Sequence, residues 1–328
     1  MTPRHKAAIG IDVGGTCAKL AAVACEASGR RGRLLSQTQI PSQPEKGPAA
    51  FIKNLGEVID SWTQQRGLRP AALGLGLAGD VDGDAGLLRY CPNLPGWENF
   101  NFKEALKRRF KKPVIVGNDA NLAVWGGYVT ELKKRPANVI GVTLGTGVGG
   151  GLIIAGRLYR GATGSAGEIG HMRVASPGQP CHCGLSGCLE AYAGSYGILR
   201  TARQILARNP RGGGILREIC PDLEDINPSH ISAAAERGDA LAREIWSQTA
   251  RYLAIGLSNL VMVLNPDVLL VLGGISRAGK WLTEPIDKFF QTQPFKAPFQ
   301  KVKLKLADNP NAGCVGAALL AMERARRE

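Results

Sequence analysis

Residues 139–156 read VIGVTLGTGVGGGLIIAG. A β-branched apolar run meets a glycine–threonine turn and resumes at once, which predicts a strand–turn–strand hairpin. The start of the chain carries a counterpart of similar spacing and chemistry. There, residues 7–13 (AAIGIDV) run into Gly14-Gly15-Thr16 and continue as AKLAAVAC. Each hairpin heads a stretch in which strands and helices alternate, so the chain is expected to be a duplicated α/β protein whose halves close around a cleft.

Outward from these hairpins, periodicity predicts helices over 48–66, 101–111 and NLAVWGGYVTEL, with buried strands at 71–79 and 114–119. KKRPAN reads as a linker before the second hairpin. Helices at 195–208 and 239–264, a strand at VLLVLGG and a last helix at 313–325 complete the second half.

The chain has 328 residues, 44% hydrophobic and 21% charged, the composition of an ordinary globular protein of about two domains. No apolar run with a cleavage site opens it, and the longest apolar stretch is cut by Asn265-Pro266-Asp267. The expectation is a soluble cytoplasmic protein with no membrane partner. The net charge of +14 raises the question of nucleic acid. The basic residues fall in short clusters, however: RRGR at 30–33, KRRFKK at 107–112, KKR at 133–135 and RARR near the end. In NFKEALKRRF the apolar Phe102, Leu106 and Phe110 keep helical spacing, which leaves the charges on a solvated face. No nucleic-acid partner is expected. Five of the eight cysteines (Cys17, Cys25, Cys91, Cys220, Cys314) are scattered among small or apolar neighbours and read as buried thiols.

Two segments match G-x-G-x-x-G: Gly74, Gly76, Gly79 and Gly145, Gly147, Gly150. A dinucleotide site needs a helix directly after the glycines. The first is instead followed by the polar LAGDVDGD and the second by the strand-like GLIIAG, so neither qualifies. No G-x-x-x-x-G-K-[ST] occurs. In DVGGT and LGTG, by contrast, amides of Gly14, Gly15, Gly145 and Gly147 can converge on an anion, with Thr16 and Thr146 adding hydroxyls. Asp12 beside an anion loop is unfavourable unless a cation intervenes, which suggests Mg²⁺ bridging phosphates. Gly273-Gly274, after VLLVL, would let a flat base lie against the backbone.

DVGGT at 12–16, GNDAN at 117–121, LGTGVGGG at 144–151, EIGH at 168–171, CHCGLSGCLE at 181–190 and LGG at 272–274 together resemble the ROK family of sugar kinases, in order and across nearly the whole chain. Residues 91–100, CPNLPGWENF, are most similar to the glucokinases of that family. The resemblance implies a two-domain actin-like ATPase (ribonuclease H-like) α/β fold with an interdomain cleft. The expected division is 1–117 plus 313–328, with the last helix returning to the first domain, against 118–312. It also implies ATP and Mg²⁺ as cofactors, a hexose as substrate and a homodimer or homotetramer. ROK repressors add an N-terminal DNA-binding domain, for which this chain is expected to have no room.

From the pattern alone, Asp119 is either a general base at the end of a strand or the N-cap of the next helix. By resemblance it is the base, with Asn118 a sugar-binding amide. Glu168, Glu190, His171, Asn93 and Gly79 are carried to the sugar side and Lys19 to the phosphate side. Glucose, phosphorylated on its 6-hydroxyl, is the first-choice substrate. N-acetylglucosamine, N-acetylmannosamine or another hexose, polyphosphate as donor, and a non-catalytic sugar-sensing regulator are the alternatives.

Cys181, Cys183, Cys188 and one histidine form a Cys₃His set suited to a closed, structural Zn²⁺ site. His182, between two ligands, is expected to point away, leaving His171 as the fourth. The C-x-C spacing requires a turn, which Gly184 and Gly187 permit. Such a metal would fix Glu168 on one side and Glu190 on the other.

Overall fold

The computed structural model describes residues 5–24, 32–91, 93–307 and 309–326. Cys25, Arg30, Arg31 and Arg327 of the sequence argument lie outside the described residues.

β1 (His5–Val13) turns into the antiparallel β2 (Cys17–Ala24), with β3 (Leu34–Pro41) paired beyond it. α1 (Gly47–Gln65) leads to β4 (Leu68–Leu77) and to the small ribbon of β5 (Asp80–Asp82) and β6 (Leu87–Tyr90). α2 (Phe102–Phe110), β7 (Val114–Asn118) and α3 (Asp119–Thr130) follow. The second series begins with β8 (Val139–Leu144), β9 (Val148–Ile154) and β10 (Arg157–Tyr159). Next come α4 (Glu190–Ala193), α5 (Ser195–Arg208), α6 (Gly214–Ile219), α7 (Pro228–Glu236) and α8 (Ala240–Leu264). β11 (Val268–Leu272), α9 (Lys280–Gln291), α10 (Lys296–Lys301), β12 (Lys303–Ala307) and α11 (Ala312–Arg324) close the chain.

The two five-stranded sheets have orders β3-β2-β1-β4-β7 and β10-β9-β8-β11-β12. One topology therefore occurs twice: a three-strand meander, then two strands parallel to its first. Strands covered on both faces are apolar throughout rather than alternating, as in VLLVL of β11, where every residue is buried. Helix limits follow local chemistry. Asp239 caps α8 by accepting from the amides of Leu241 and Ala242, and Asn265 ends it in the left-handed region (φ 41°) before Pro266. In α2, Phe102 and Leu106 are buried while Lys107, Arg108 and Arg109 face solvent, as the basic cluster implied.

Close backbone approach docks α11 on the first sheet. Gly10 and Gly74 are register partners on β1 and β4. A side chain at Gly10 would overlap the Cys314 carbonyl, and one at Gly74 the Ala317 carbonyl. α11 also packs on α3, where a side chain at Gly316 would overlap the Leu122 carbonyl.

Contacts divide the chain into Met1–Ala137, Gly151–Gly167 and Asn309–Glu328 as one compact unit, and Asn138–Gly150 with Glu168–Asp308 as the other. This corrects the expected break at 117/118. α3, with Asp119, belongs to the first unit because α11 holds it there. Residues 151–167 join the same unit, with Gly151 against Val124 and Gly156 beside the Tyr128 hydroxyl. The last helix, α11, lies in the first unit.

Several elements carry no clear sequence pattern. LAGDVDGD, read as a polar turn, supplies β5, because Asp80 and Asp82 are bound by Arg89 of β6 at 3.1 and 2.7 Å. β12, KLKLA, alternates charged and apolar residues at a sheet edge, and α9 contains Pro285. Cys91, Cys220 and Cys314 are buried, whereas Cys17 is half-buried. Among the described residues no helix is long and apolar enough to cross a membrane.

Candidate functional site

In the first unit the parallel strands β1, β4 and β7 end together, which brings Asp12, Gly79, Asn118 and Asp119 to one edge of the sheet. Asn118 rather than Asp119 caps α3: its Oδ1 accepts from the Asn121 amide at 3.0 Å. Its Nδ2 donates to the Gly79 carbonyl at 3.0 Å. Asn118 keeps one amide hydrogen for a ligand, and Gly79 (φ 94°) holds it in place, since a side chain there would overlap the Tyr90 carbonyl. The capping alternative for Asp119 is thus removed. Asp119 is the first residue of α3, half-exposed, with Oδ1 accepting from the Ala120 amide at 2.8 Å. A helix N-terminus favours the negative charge a base must carry.

The loop at 14–16 is held from below. The Ser42 hydroxyl donates to the Gly14 carbonyl at 2.6 Å and the Ser42 amide to the Thr16 carbonyl at 3.0 Å. Gly15 lies against Asn93, which puts Asn93 beside the loop at 14–16. Asp12 sits opposite Lys19 across the β1–β2 pairing, with its carboxylate over Gly313 in the first turn of α11. Burial pushes the Asp12 carboxyl up to about 6, and Lys19 acts in the opposite sense. A carboxylate penalised by burial beside an anion loop is where a divalent cation would relieve the cost.

In the second unit Gly145, Thr146 and Gly147 form the turn between β8 and β9, with Gly145 and Thr146 exposed. Gly273 (φ 95°), at the end of β11, packs on the Leu144 carbonyl just before that turn, and Gly274 is exposed. The two loops expected to hold phosphate and base are therefore adjacent, at the carboxyl ends of neighbouring parallel strands, where open α/β sheets bind ligands.

EIGH forms a single 3₁₀ turn, Ile169–His171 with Glu168 at its start. With about three residues per turn, positions 168 and 171 share a face. Ile169 is buried, and Gly170 packs under the Val148 carbonyl, so Glu168 and His171 are left exposed. Glu190 is more committed than expected. Its Oε2 accepts from the Val148 amide of the phosphate turn at 2.9 Å, and its Oε1 faces Tyr196 and Cys181.

The ligand atoms of His171, Cys181, Cys183 and Cys188 all lie within 4.8 Å of one another. Cys183 Sγ and Cys188 Sγ are 3.7 Å apart and Cys181 Sγ and His171 Nδ1 3.9 Å. Tetrahedral zinc with ordinary bond lengths would place sulfurs ~3.8 Å apart, so the set fits. Burial pushes the Cys188 thiol up to about 12 and raises that of Cys181, so a cation is needed to hold them as thiolates. Gly184 (φ 87°) and Gly187 (φ 82°) make the expected turns, and His182 points to Tyr196, stacking on its ring at 4.0 Å. Sequence reasoning missed Tyr196 and Ser42. Nothing at those positions signals contact with loops so distant in sequence.

Two five-stranded sheets of repeated topology, each with a glycine–threonine turn at its strand ends, make this an actin-like ATPase fold. The chain belongs to the ROK family, whose family model matches residues 8–324. It is 35% identical over 318 residues to the glucokinase of Streptomyces coelicolor, covering 96% of this chain and 97% of that protein. The crystal structure of a ROK family glucokinase from Streptomyces griseus in complex with glucose and AMPPNP matches with a TM-score of 0.80 and 33% identity, over 97% of this chain and 99% of that one. A ROK family transcriptional regulator, homologous to the E. coli MLC protein, matches with a TM-score of 0.86 at 22% identity, over 99% of this chain and 80% of that chain, a likeness of fold alone.

Proposed function

We propose that the protein is an ATP-dependent glucose kinase that transfers the γ-phosphoryl group to the 6-hydroxyl. Glucokinase relatives over nearly the full chain support this reading. The observation that carries it is Asp119, a carboxylate at the head of α3 that the adjacent Asn118 relieves of capping. Asp119 accepts the hydroxyl proton as the sugar oxygen attacks phosphorus, and ADP leaves. The turns at 14–16 and 145–147 donate amides and threonine hydroxyls to phosphate oxygens. Asp12 would hold Mg²⁺, which would neutralise phosphate charge. Glu168, His171, Glu190 and Asn118 read the sugar hydroxyls, where an unmatched polar group is penalised. His171, Cys181, Cys183 and Cys188 would hold a structural Zn²⁺, which would fix the cysteine loop.

A coupled assay of ADP release over glucose, mannose, N-acetylglucosamine, N-acetylmannosamine, fructose and allose tests the assignment, with polyphosphate as an alternative donor. Glucose is expected to give the highest kcat/KM. No turnover on any sugar would favour the sugar-sensing regulator.

A further inference from the structure

The short segment 190–196 touches both functional loops of the second unit. On one side it grips the phosphate turn. Glu190 Oε2 accepts from the Val148 amide at 2.9 Å, and the Ser195 amide donates to the Gly145 carbonyl at 2.9 Å. Gly194 packs against the Thr146 carbonyl, and the place of a side chain at Gly147 is taken by the Glu190 carboxylate. On the other side the segment grips the cysteine loop. The Tyr196 hydroxyl lies 3.6 Å from Cys181 Sγ and 3.4 Å from Glu190 Oε1, and its ring stacks on His182. One carboxylate thus has one oxygen on each loop, with Tyr196 closing the link.

We propose that Tyr196 is a positioning residue that orients Glu190, so that the cysteine loop sets the pose of the phosphate turn and hence nucleotide affinity. Glu190 is then a strut of the nucleotide side as well as a sugar acceptor. The inference rests on the kinase reading for the identity of the nucleotide. It differs from that reading in locating the effect of the cysteine loop on ATP rather than only on sugar.

Tyr196→Phe keeps the ring on His182 and removes only the hydroxyl. In the zinc-loaded protein without sugar, Mg²⁺–AMPPNP binding, measured by calorimetry, is expected to weaken roughly 3- to 10-fold, the range of one ordinary hydrogen bond. KM for ATP should rise by the same factor, with kcat within about twofold and bound zinc unchanged. Glu190→Gln should also weaken AMPPNP binding, and adding Tyr196→Phe to it should change little, because the two act through one link. Arg203→Ala, on the same helix, is the control. It removes a 3.2 Å ion pair to Glu224 and should leave AMPPNP affinity unchanged.

Unchanged AMPPNP affinity in Tyr196→Phe overturns the proposal, as do additive losses in the double variant or an equal loss in Arg203→Ala. Failure of the wild-type protein to bind AMPPNP would instead sink the kinase reading itself.

Discussion

Asp119 and Asp12 are neighbours in role but differ in what their surroundings do to them. Asp119 is half-exposed, and Asn118 rather than Asp119 caps α3. Asp119→Ala is expected to lower kcat about 10²- to 10⁴-fold, as for loss of a general base, while AMPPNP binding is retained. Residual turnover near that of wild type would remove the assigned base. Asp12 has its carboxyl raised from 3.8 to about 6 by burial, against the opposing effect of Lys19. The fold therefore prefers its protonated form. That contribution is fully present below about pH 4 and is lost as pH rises through 6. At pH 8, without nucleotide or metal, Asp12→Asn should stabilise the protein by about 1–3 kcal/mol. The gain should shrink by pH 5. Denaturant midpoints at the two pH values check the sign, and Mg²⁺-dependent ATP binding should weaken in the same variant. A variant less stable at both pH values would contradict this account of Asp12.

At the scale of elements, the cysteine loop is a small hairpin clamped by its own backbone. The Cys181 amide donates to the Leu185 carbonyl at 2.8 Å and the Val174 amide to the Gly187 carbonyl at 2.8 Å. These bonds shape the loop but leave three thiols crowded together, and a metal would resolve the crowding. Cys183→Ser, with metal loss verified by elemental analysis, is expected to raise glucose KM at least about tenfold or to melt the loop, in line with loss of a site-orienting shell. Unchanged sugar kinetics in a verified zinc-free variant would separate the metal from the pocket. The phosphate turn answers to the same structure: Gly147→Ala places a methyl on the Glu190 carboxylate and should weaken ATP binding more than sugar binding.

For the molecule as a whole, stability of the first unit depends on a helix from the far end of the chain lying flat on its sheet. Gly10 and Gly74 leave the space for it, and the Cys314 and Ala317 carbonyls fill that space. Gly10→Val cannot be absorbed by a rotamer change, because the obstacle is backbone. It should cost about 3 kcal/mol or more, read as a drop in Tm of the first unit, with α11 helicity lost in parallel. A Tm within a degree or two of wild type would show that α11 is dispensable for docking. Cys314, on that helix, has its thiol pushed up to about 12 by burial and the nearby Asp12, so it should resist alkylation at pH 8 until the helix detaches.

The sequence by itself determined the paired hairpins, the main strands and helices, and the candidate Cys₃His set, because each rests on local periodicity or on side-chain chemistry within a short stretch. CHCGLSGCLE was legible in this way, since the turn that C-x-C spacing requires rests on two left-handed glycines. Only the tertiary structure decided that α3 belongs with the first unit, that Asn118 rather than Asp119 caps it, and that Glu190 braces the phosphate turn through Val148 with Tyr196 beside it. The physical reason is range. Capping, close backbone approach and shared carboxylate oxygens are contacts between groups brought together by packing, and no residue type announces its distant partner.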